Sequence, residues 1–116
     1  MKSLLILGAG GFGHMIKETA QALGYEEIVF LDDMVKEDDV IGMCCDYVIK
    51  HEDYLVAVAA FGNNKTRLFW TDKLLEEGYE VPAIVHPSAV VSPSVTLEPG
   101  CFIMQRSVVN TNTKIE

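Results

Sequence analysis

The chain has 116 residues and a mass of 12.8 kDa, which suffices for one domain with a short extension but not for two full domains. This length excludes a complete two-domain dehydrogenase, a kinase or a TIM barrel. The 17 acidic residues outnumber the 9 basic ones and give a formal net charge of −8. Non-specific nucleic-acid binding is therefore not expected, because it needs a basic surface. A phosphate ligand remains compatible with this charge, since backbone N–H groups can hold it.

Signals for membrane insertion, secretion and metal binding are missing from the sequence. The apolar run at residues 4–7 stops at glycines and is too short for a signal peptide. No stretch approaches the roughly 18 apolar residues of a membrane span. The three cysteines, Cys44, Cys45 and Cys101, are odd in number and lack a C-x-x-C spacing. We therefore expect a cytoplasmic protein with free thiols, no membrane span and no metal site.

Alternating apolar runs and amphipathic segments predict a parallel α/β sheet. Strands buried on both faces are predicted at residues 4–7, 28–31 and 54–60, with a last short strand at 81–85. One helix is expected at residues 12–23, and a second begins at Asn63 or Asn64 and ends near Glu77, before Gly78. Residues 34–53 are acidic and irregular, with a short strand expected at 47–49.

The pattern changes to a period of six residues after His86. Apolar residues recur at Val91, Leu97, Ile103, Val109 and Ile115. Small or β-branched residues occupy a second phase at Val95, Cys101, Ser107 and Thr113, and Pro93 and Pro99 are separated by one further hexad. Such hexads are typical of a parallel β-helix, in which the apolar residue points into the coil. A partial coil has an open end, so we expect this apolar line to be covered in part by another copy.

A glycine-rich loop follows the first predicted strand and opens the first predicted helix. It matches G-x-G-x-x-G in the segment Gly8-Ala9-Gly10-Gly11-Phe12-Gly13. In such a loop the first glycine permits a tight turn, the second lets a phosphate approach the backbone, and the third lets helix and strand pack closely. The helix N-terminus adds free N–H groups. His14 follows the loop and either faces the phosphates or is solvated.

Further polar residues follow the next strands at the same predicted sheet edge. Asp32 and Asp33 come roughly 20 residues after Gly13, where a carboxylate can accept hydrogen bonds from ribose hydroxyls or a base N–H. Aspartate is also an ordinary turn residue, so both interpretations stay open. Gly62 can let a ligand approach the strand at 54–60. Asn63 either contacts the ligand or only caps the next helix.

Four segments together resemble the sugar acyltransferases of the sialic-acid O-acetyltransferase and bacillosamine N-acetyltransferase group. They are the glycine loop, Leu31-Asp32-Asp33, Phe61-Gly62-Asn63-Asn64, and Ile84-Val85-His86-Pro87-Ser88-Ala89 leading into the hexads. The resemblance implies an α/β, Rossmann-like domain at residues 1–86. It further implies that residues 87–116 form the truncated first coils of a left-handed parallel β-helix.

The resemblance also implies a function. In that family the first domain binds the sugar substrate, here a nucleotide-sugar such as a UDP-amino-sugar. The β-helix trimerises, binds acetyl-CoA between subunits and carries a catalytic histidine. The resemblance places substrate-binding positions at Gly10, Gly11, Phe12, Asp32, Asp33 and Gly62. The glycine motif and the strand ends themselves add Gly8, Gly13, His14 and Asn63 as secondary candidates. No residue matches the catalytic histidine or the CoA site, so we expect a fragment that binds substrate without catalysing transfer.

Two other functions stay open from the sequence. One is a small NAD(P)-binding Rossmann module, which the same glycine motif would serve. Residues 34–53 leave little room for its second crossover helix, and the hexads would be unexplained. The other is a regulatory nucleotide-sensing or purely structural domain. Titration with UDP, CMP and NADH would distinguish these functions.

Overall fold

The computed structural model describes residues 2–103, 108–109 and 114–115, the last four through their backbone alone. Its first part is a four-stranded parallel sheet in the order β3-β2-β1-β4. The strands are β1 (Ser3–Leu7), β2 (Glu27–Leu31), β3 (Val40–Gly42) and β4 (Ala57–Ala59). The helices are α1 (Gly11–Ala22), α2 (Tyr47–Lys50) and α3 (Asn64–Glu77), with a 3-10 turn at Cys44–Asp46.

The direction in which the chain adds strands to the sheet reverses beside β1. Leu7 lies opposite Leu31 of β2 on one side and opposite Ala59 of β4 on the other. The chain thus runs from β1 outward through β2 and β3, and then returns to the other side of β1. In open α/β sheets, ligands bind at the carboxyl ends of the strands at such a point.

Continuous apolar runs form the centre of the core. All four apolar residues at positions 4–7 are fully buried, because β1 has a strand on each side and both of its faces are covered. Ile16 and Ala20 of α1 and Phe30 of β2 complete this cluster. The predicted strands at 4–7 and 28–31 and the predicted helix at 12–23 are confirmed to within a residue at each end.

The second long helix begins and ends through local side-chain and backbone chemistry, as predicted. The Asn63 side chain accepts a hydrogen bond of 3.0 Å from the Thr66 N–H, and Gly78 ends α3 with a φ of +100°. Leu74 is buried, whereas Leu68 and Leu75 are exposed although their apolar character suggested core positions. The helix therefore packs on the sheet through a narrower face than its sequence suggests.

Two predictions about strands differ from the structure: the one at 47–49 was wrong, and the one at 54–60 was wrong in its length. The segment 47–49 lies in α2, because Tyr47 packs edge-on against Trp70 at 5.8 Å and its carbonyl accepts the Tyr79 hydroxyl. The edge strand is instead Val40–Gly42. The strand predicted at 54–60 is shortened to Ala57–Ala59, since Leu55 is 71% exposed and lies outside the sheet.

Short strands after α3 form successive turns of a parallel coil. They are β5 (Ile84–Val85), β6 (Val90–Val91), β7 (Thr96–Leu97), β8 (Phe102–Ile103), β9 (Val108–Val109) and β10 (Lys114–Ile115). β5 pairs with β8, β6 with β9 and β7 with β10. β5, β6 and β7 thus each pair with the strand that lies three hexads further along the chain. Three hexads therefore make one coil, which is the geometry of a parallel β-helix.

The strand predicted at 81–85 belongs to this coil and not to the four-stranded sheet. Ile84 donates its N–H to the Cys101 carbonyl at 2.9 Å, and His86 donates to Ile103 at 2.9 Å. The coil has therefore begun before His86. The hexad phases support this, because Val85 extends the apolar positions back by one hexad, and Ala83 extends the small positions back by two hexads through Ala89.

The inward positions of the first coil differ in burial. Cys101 and Ile103 are only 2% and 5% exposed within the single chain, so they need no second copy to cover them, whereas Val91 and Leu97 are half-buried. The predicted inward side chains of Val109, Ile115, Ser107 and Thr113 lie outside the described residues. Among the residues that the structure describes, every helix is too short or too polar to cross a bilayer.

Candidate functional site

The candidate site lies at the carboxyl edge of the sheet, around the end of β1. Three chain segments meet there: the glycine loop after β1, the two aspartates after β2, and Phe61 and Gly62 after β4. Gly8 donates its N–H to the Leu31 carbonyl at 2.8 Å, and Ala60 donates to Leu7 at 2.7 Å. These bonds continue the sheet past the strand ends and hold the segments together.

Two glycines of the loop are required by backbone packing. Gly8 has a φ of +102°, and a Cβ there would lie 2.8 Å from the Ala60 carbonyl oxygen. A Cβ on Gly13 would lie 1.9 Å from the Gly8 carbonyl oxygen. Both positions exclude any side chain because helix and strand approach so closely. The fold itself therefore explains Gly8 and Gly13.

Three other glycines have no such explanation in the fold. A Cβ on Gly10, Gly11 or Gly62 would meet nothing within 4 Å, and none of the three has a positive φ. Gly10 is extended, with φ −79° and ψ −166°, a conformation open to any residue. All three border the same edge of the sheet. Their common consequence is bare backbone facing open space, which lets another molecule approach closely.

The N-terminus of α1 presents unpaired donors beside this bare backbone. The Gly10 cap supplies no side-chain hydrogen bond, and the first turn carries no acidic residue. Among residues 2–103, no acceptor takes the N–H of Gly11 or Phe12. A helix of twelve residues adds the positive end of its dipole. The arrangement suits an anion such as a phosphate.

Asp32 ties the glycine loop to the turn after β2. Its Oδ2 accepts the Ala9 N–H and its Oδ1 accepts the N–H groups of Met34 and Val35, each at 2.7 Å. Partial burial raises the pKa of Asp32, but these three hydrogen bonds outweigh burial and hold the pKa below its ordinary value. Asp32 is therefore a carboxylate with most of its acceptor capacity already used by the backbone.

Asp33 differs from its neighbour in accessibility. Its Oδ1 accepts the Cys44 N–H at 2.9 Å, while the residue is exposed at the surface. Among the described residues no hydrogen bond uses its Oδ2. Of the two predicted aspartates, Asp33 has the carboxylate oxygen that is free to accept a further hydrogen bond.

A cleft of about 370 Å³ opens beside the two aspartates. Its other walls include Phe61, Thr66 and Trp70. Cys44, in the turn after β3, also lines it. Burial, and then the charges of Asp33 and Asp32, raise the pKa of the Cys44 thiol to about 12. The cleft therefore combines aromatic walls and a carboxylate with an unreactive thiol.

Two further cavities lie near the sheet. One of about 400 Å³ is lined by Asp32 and by residues between positions 35 and 43, including Gly42. The larger, of about 550 Å³, is at the opposite edge and is lined by residues such as Tyr25, Asp53 and Glu80. We favour the cleft beside Asp33, because its lining includes both the turn after β2 and Phe61, which precedes Gly62. The turn after β2 is in turn bonded to the glycine loop through Asp32 and the Ala9 N–H.

The side chains of three predicted site residues make contacts elsewhere in the fold. The Phe12 ring packs edge-on against Phe102, with centroids 5.4 Å apart. His14 pairs through Nε2 with Glu37 at 3.2 Å, and its ring lies 5.1 Å from that of Phe30. Asn63 caps α3, as one of its two sequence interpretations proposed. Phe12 therefore offers the site its backbone N–H.

Sequence reasoning missed the cleft walls. Phe61, Thr66 and Trp70 were not among the predicted site residues. A signal was present, since Thr66 and Trp70 are one helical turn apart at the start of α3 and so share one helix face. Their orientation toward Asp33 depends on the order of β2, β1 and β4, which the local sequence does not specify.

The fold and the site together define a Rossmann-like domain that continues into a parallel β-helix. The model of the PglD N-terminal domain family matches residues 3–74, and the chain belongs to this family. The resemblance to sugar acyltransferases drawn from the sequence is thereby confirmed.

Solved structures of sugar acetyltransferases have the same fold. The acetyltransferase domain of PglB from Neisseria gonorrhoeae, in complex with acetyl coenzyme A, has 35% sequence identity and a TM-score of 0.91 over 97% of this chain. A variant of perosamine N-acetyltransferase from Caulobacter crescentus, in complex with CoA and GDP-perosamine, has 28% identity and a TM-score of 0.90 over 98%. This chain covers 58% and 57% of those two chains, so it spans less than two thirds of their length.

Proposed function

We propose that this chain is the nucleotide-sugar-binding part of an acetyl-CoA-dependent sugar N- or O-acetyltransferase. In this proposal the residues before β5 hold the nucleotide-sugar, and the β-helix begins with β5 at Ile84–Val85. The observation that carries it is the set of three glycines, Gly10, Gly11 and Gly62, which the fold does not require and which leave bare backbone at one sheet edge. Membership in the PglD N-terminal domain family supports it.

The diphosphate of the ligand is assigned to the N-terminus of α1. The free N–H groups of Gly11 and Phe12 donate to its oxygens, and the helix dipole favours its negative charge. Gly10 lets the phosphate approach without contact with a Cβ. The acidic character of the whole chain is no obstacle, because the first turn of α1 carries no acidic side chain.

The nucleoside is assigned to the cleft beside Asp33, whose volume of about 370 Å³ lies in the usual range of about 300–1,000 Å³ for ligand sites. Phe61 and Trp70 supply aromatic surface for a base. Asp33 accepts a hydrogen bond from a ribose hydroxyl or a base N–H. We favour UDP as the nucleotide; GDP is the competitor, since the perosamine N-acetyltransferase structure contains GDP-perosamine.

The transfer step belongs to the complete protein. There we propose a homotrimer in the cytoplasm, whose β-helix binds acetyl-CoA and carries a histidine that deprotonates the sugar amino or hydroxyl group. This chain holds the acceptor in place for that step. No residue in it is assigned a catalytic role.

Thermal unfolding with and without nucleotide tests the binding proposal. UDP or a UDP-sugar should raise the Tm, because any ligand that binds only the folded state does so. Gly10→Val should weaken this effect by blocking the phosphate, and Asp33→Ala by removing an acceptor. GDP, CMP and NADH are compared in the same assay.

Two control variants make the same types of change away from the site. Ala22→Val adds the same type of side chain at the exposed far end of α1, and Asp53→Ala removes an exposed carboxylate at the opposite sheet edge. Both should leave the Tm increase unchanged. Stabilisation by NADH but not by UDP or GDP would contradict the proposal and favour an NAD(P)-binding module.

A further inference from the structure

An aromatic pair joins the N-terminus of α1 to the first coil of the β-helix, whose strand β5 also contacts α1. The rings of Phe12 and Phe102 are 5.4 Å apart at an interplanar angle of 70°, an edge-to-face geometry that aromatic rings favour. Phe12 is the second residue of α1 and carries one of the unpaired N–H groups of the site. A contact made by the coil thus reaches a residue at the centre of the proposed phosphate site.

The direction of the Phe102 ring follows from strand alternation. Ile103 points into the coil and is 5% exposed, so its neighbour Phe102 must point outward. Ile84 lies opposite Phe102 in the β5–β8 pair and is buried in the core of the α/β part. The outward face of β5 and β8 is therefore the face that packs against the Rossmann-like domain.

A second contact joins the coil to the other helix of the site. Gly100 has a φ of +75°, and a Cβ there would lie 3.1 Å from Oγ1 of Thr71, which is buried in α3. The coil thus touches both helices whose N-termini border the candidate site. It contacts α3 near its middle, whereas it contacts α1 within the first turn.

We propose that Phe102 is a positioning residue for nucleotide binding: its ring fixes Phe12, and with it the direction of the N–H groups at the start of α1. This inference rests on the proposed function, because it assigns the phosphate to those groups. Phe102 itself touches no ligand. The nucleotide site is then complete only when the first coil of the β-helix is folded.

Titration with UDP and GDP on Phe102→Leu tests the proposal, since leucine keeps the position apolar but removes the ring edge. The dissociation constant of the nucleotide that the wild-type protein binds should rise roughly fivefold or more, the lower end of typical coupling between sites. Ile103→Val is the matched control, because it trims the adjacent side chain on the coil's inner face. Its dissociation constant should stay within about twofold of the wild-type value. Phe102→Tyr, which keeps the ring, should bind as wild type.

Hydrogen exchange provides a readout that a merely stabilising residue would not move. Coupling between two sites is reciprocal, so nucleotide binding should slow exchange of the Ile84 and His86 amides, which close the β5–β8 pair. This protection should persist in Ile103→Val and be lost in Phe102→Leu. All measurements are made well below the Tm of each variant, so that a loss of stability does not enter the dissociation constant.

The outcomes separate the two proposals. Equal dissociation constants for wild type and Phe102→Leu would overturn the positioning role and leave the proposed function intact. A wild-type protein that binds neither UDP nor GDP would overturn both. Should Phe102→Leu fail to fold, Phe102→Met is judged by the same criteria, because its longer unbranched side chain fills irregular space more readily.

Discussion

Gly10→Ser should make the protein more stable and a poorer nucleotide binder at once. Gly10 is the N-cap of α1 in an extended conformation, and a Cβ there meets nothing within 4 Å. Serine fits this backbone and can accept an N–H from the first turn, which is a few tenths of a kcal/mol better than glycine. The less flexible unfolded chain adds about 0.4–1 kcal/mol. The Tm should therefore rise by about 2–6 °C.

The same substitution should weaken UDP binding for two reasons. Its side chain occupies the space through which the phosphate approaches. Its hydroxyl would also accept a first-turn N–H group, such as that of Phe12, which the proposed site offers to the phosphate. We expect at least a tenfold higher dissociation constant, on the order of 1.4 kcal/mol. Opposite signs for stability and binding are the expected pattern at a ligand site whose sequence is not optimal for the fold.

Gly13→Ala is the contrasting substitution in the same loop. Its Cβ would lie 1.9 Å from the Gly8 carbonyl oxygen, so helix and strand would have to separate by roughly 1 Å or more. Such overpacking costs about 1–3 kcal/mol or more and should lower the Tm by at least about 4 °C. On each variant, urea unfolding measures the free energy of unfolding, and isothermal titration measures the dissociation constant for UDP. Gly10→Ser that binds UDP as tightly as wild type would refute the placement of the phosphate, and Gly13→Ala without a loss of stability would refute the loop geometry.

Three further substitutions or reactions test single features of the structure. Asp32→Asn should lower stability at pH 7 by about 1–3 kcal/mol in urea unfolding, because one of three backbone N–H groups loses its acceptor. The pKa of Asp32 is lower in the folded protein than in the unfolded chain, so ionised Asp32 stabilises the fold at pH values above the ordinary carboxyl pKa. The difference in free energy of unfolding between Asp32→Asn and wild type should therefore shrink below about pH 4. A difference that stays constant with pH would contradict this account. Asn63→Ala should cost about 1 kcal/mol, measured in the same way, by removing the cap on the Thr66 N–H, and an unchanged midpoint would speak against the cap. Brief alkylation at pH 8 followed by peptide mass spectrometry should label exposed Cys45 and spare Cys44, whose thiol pKa is raised to about 12; equal labelling would be the contrary result.

Local sequence signals determined most elements of the fold correctly. The apolar run at 4–7, the Asn63 cap and the Gly78 stop act within a few residues, and each predicted its element boundary. The glycine spacing predicted the strand–turn–helix at Gly8 to Gly13, because only glycine tolerates the close contacts found there. The hexads predicted the coil, since their period is a property of the chain itself.

Tertiary packing decided the elements whose local signals are ambiguous. Residues 47–49 have the composition of a strand but become a helical turn, because Tyr47 packs on Trp70 from a distant helix. Residues 84–85 would suit the sheet as well as the coil, and pairing with Phe102 and Ile103, three hexads further along the chain, selects the coil. Such short apolar segments form a strand only where a backbone partner is available.

The candidate site shows the same division. The sequence predicted Gly10, Asp33 and Gly62 as site residues through residue type and position after a strand, and in the structure all three border one edge of the sheet. The sequence did not reveal that both carboxylate oxygens of Asp32 accept backbone N–H groups, because one of these donors, Ala9, lies in a loop 23 residues earlier. Nor did it reveal the contact of Phe12 with Phe102. Residue type sets which hydrogen bonds and contacts a side chain can make, but only the folded chain determines which partners are within reach.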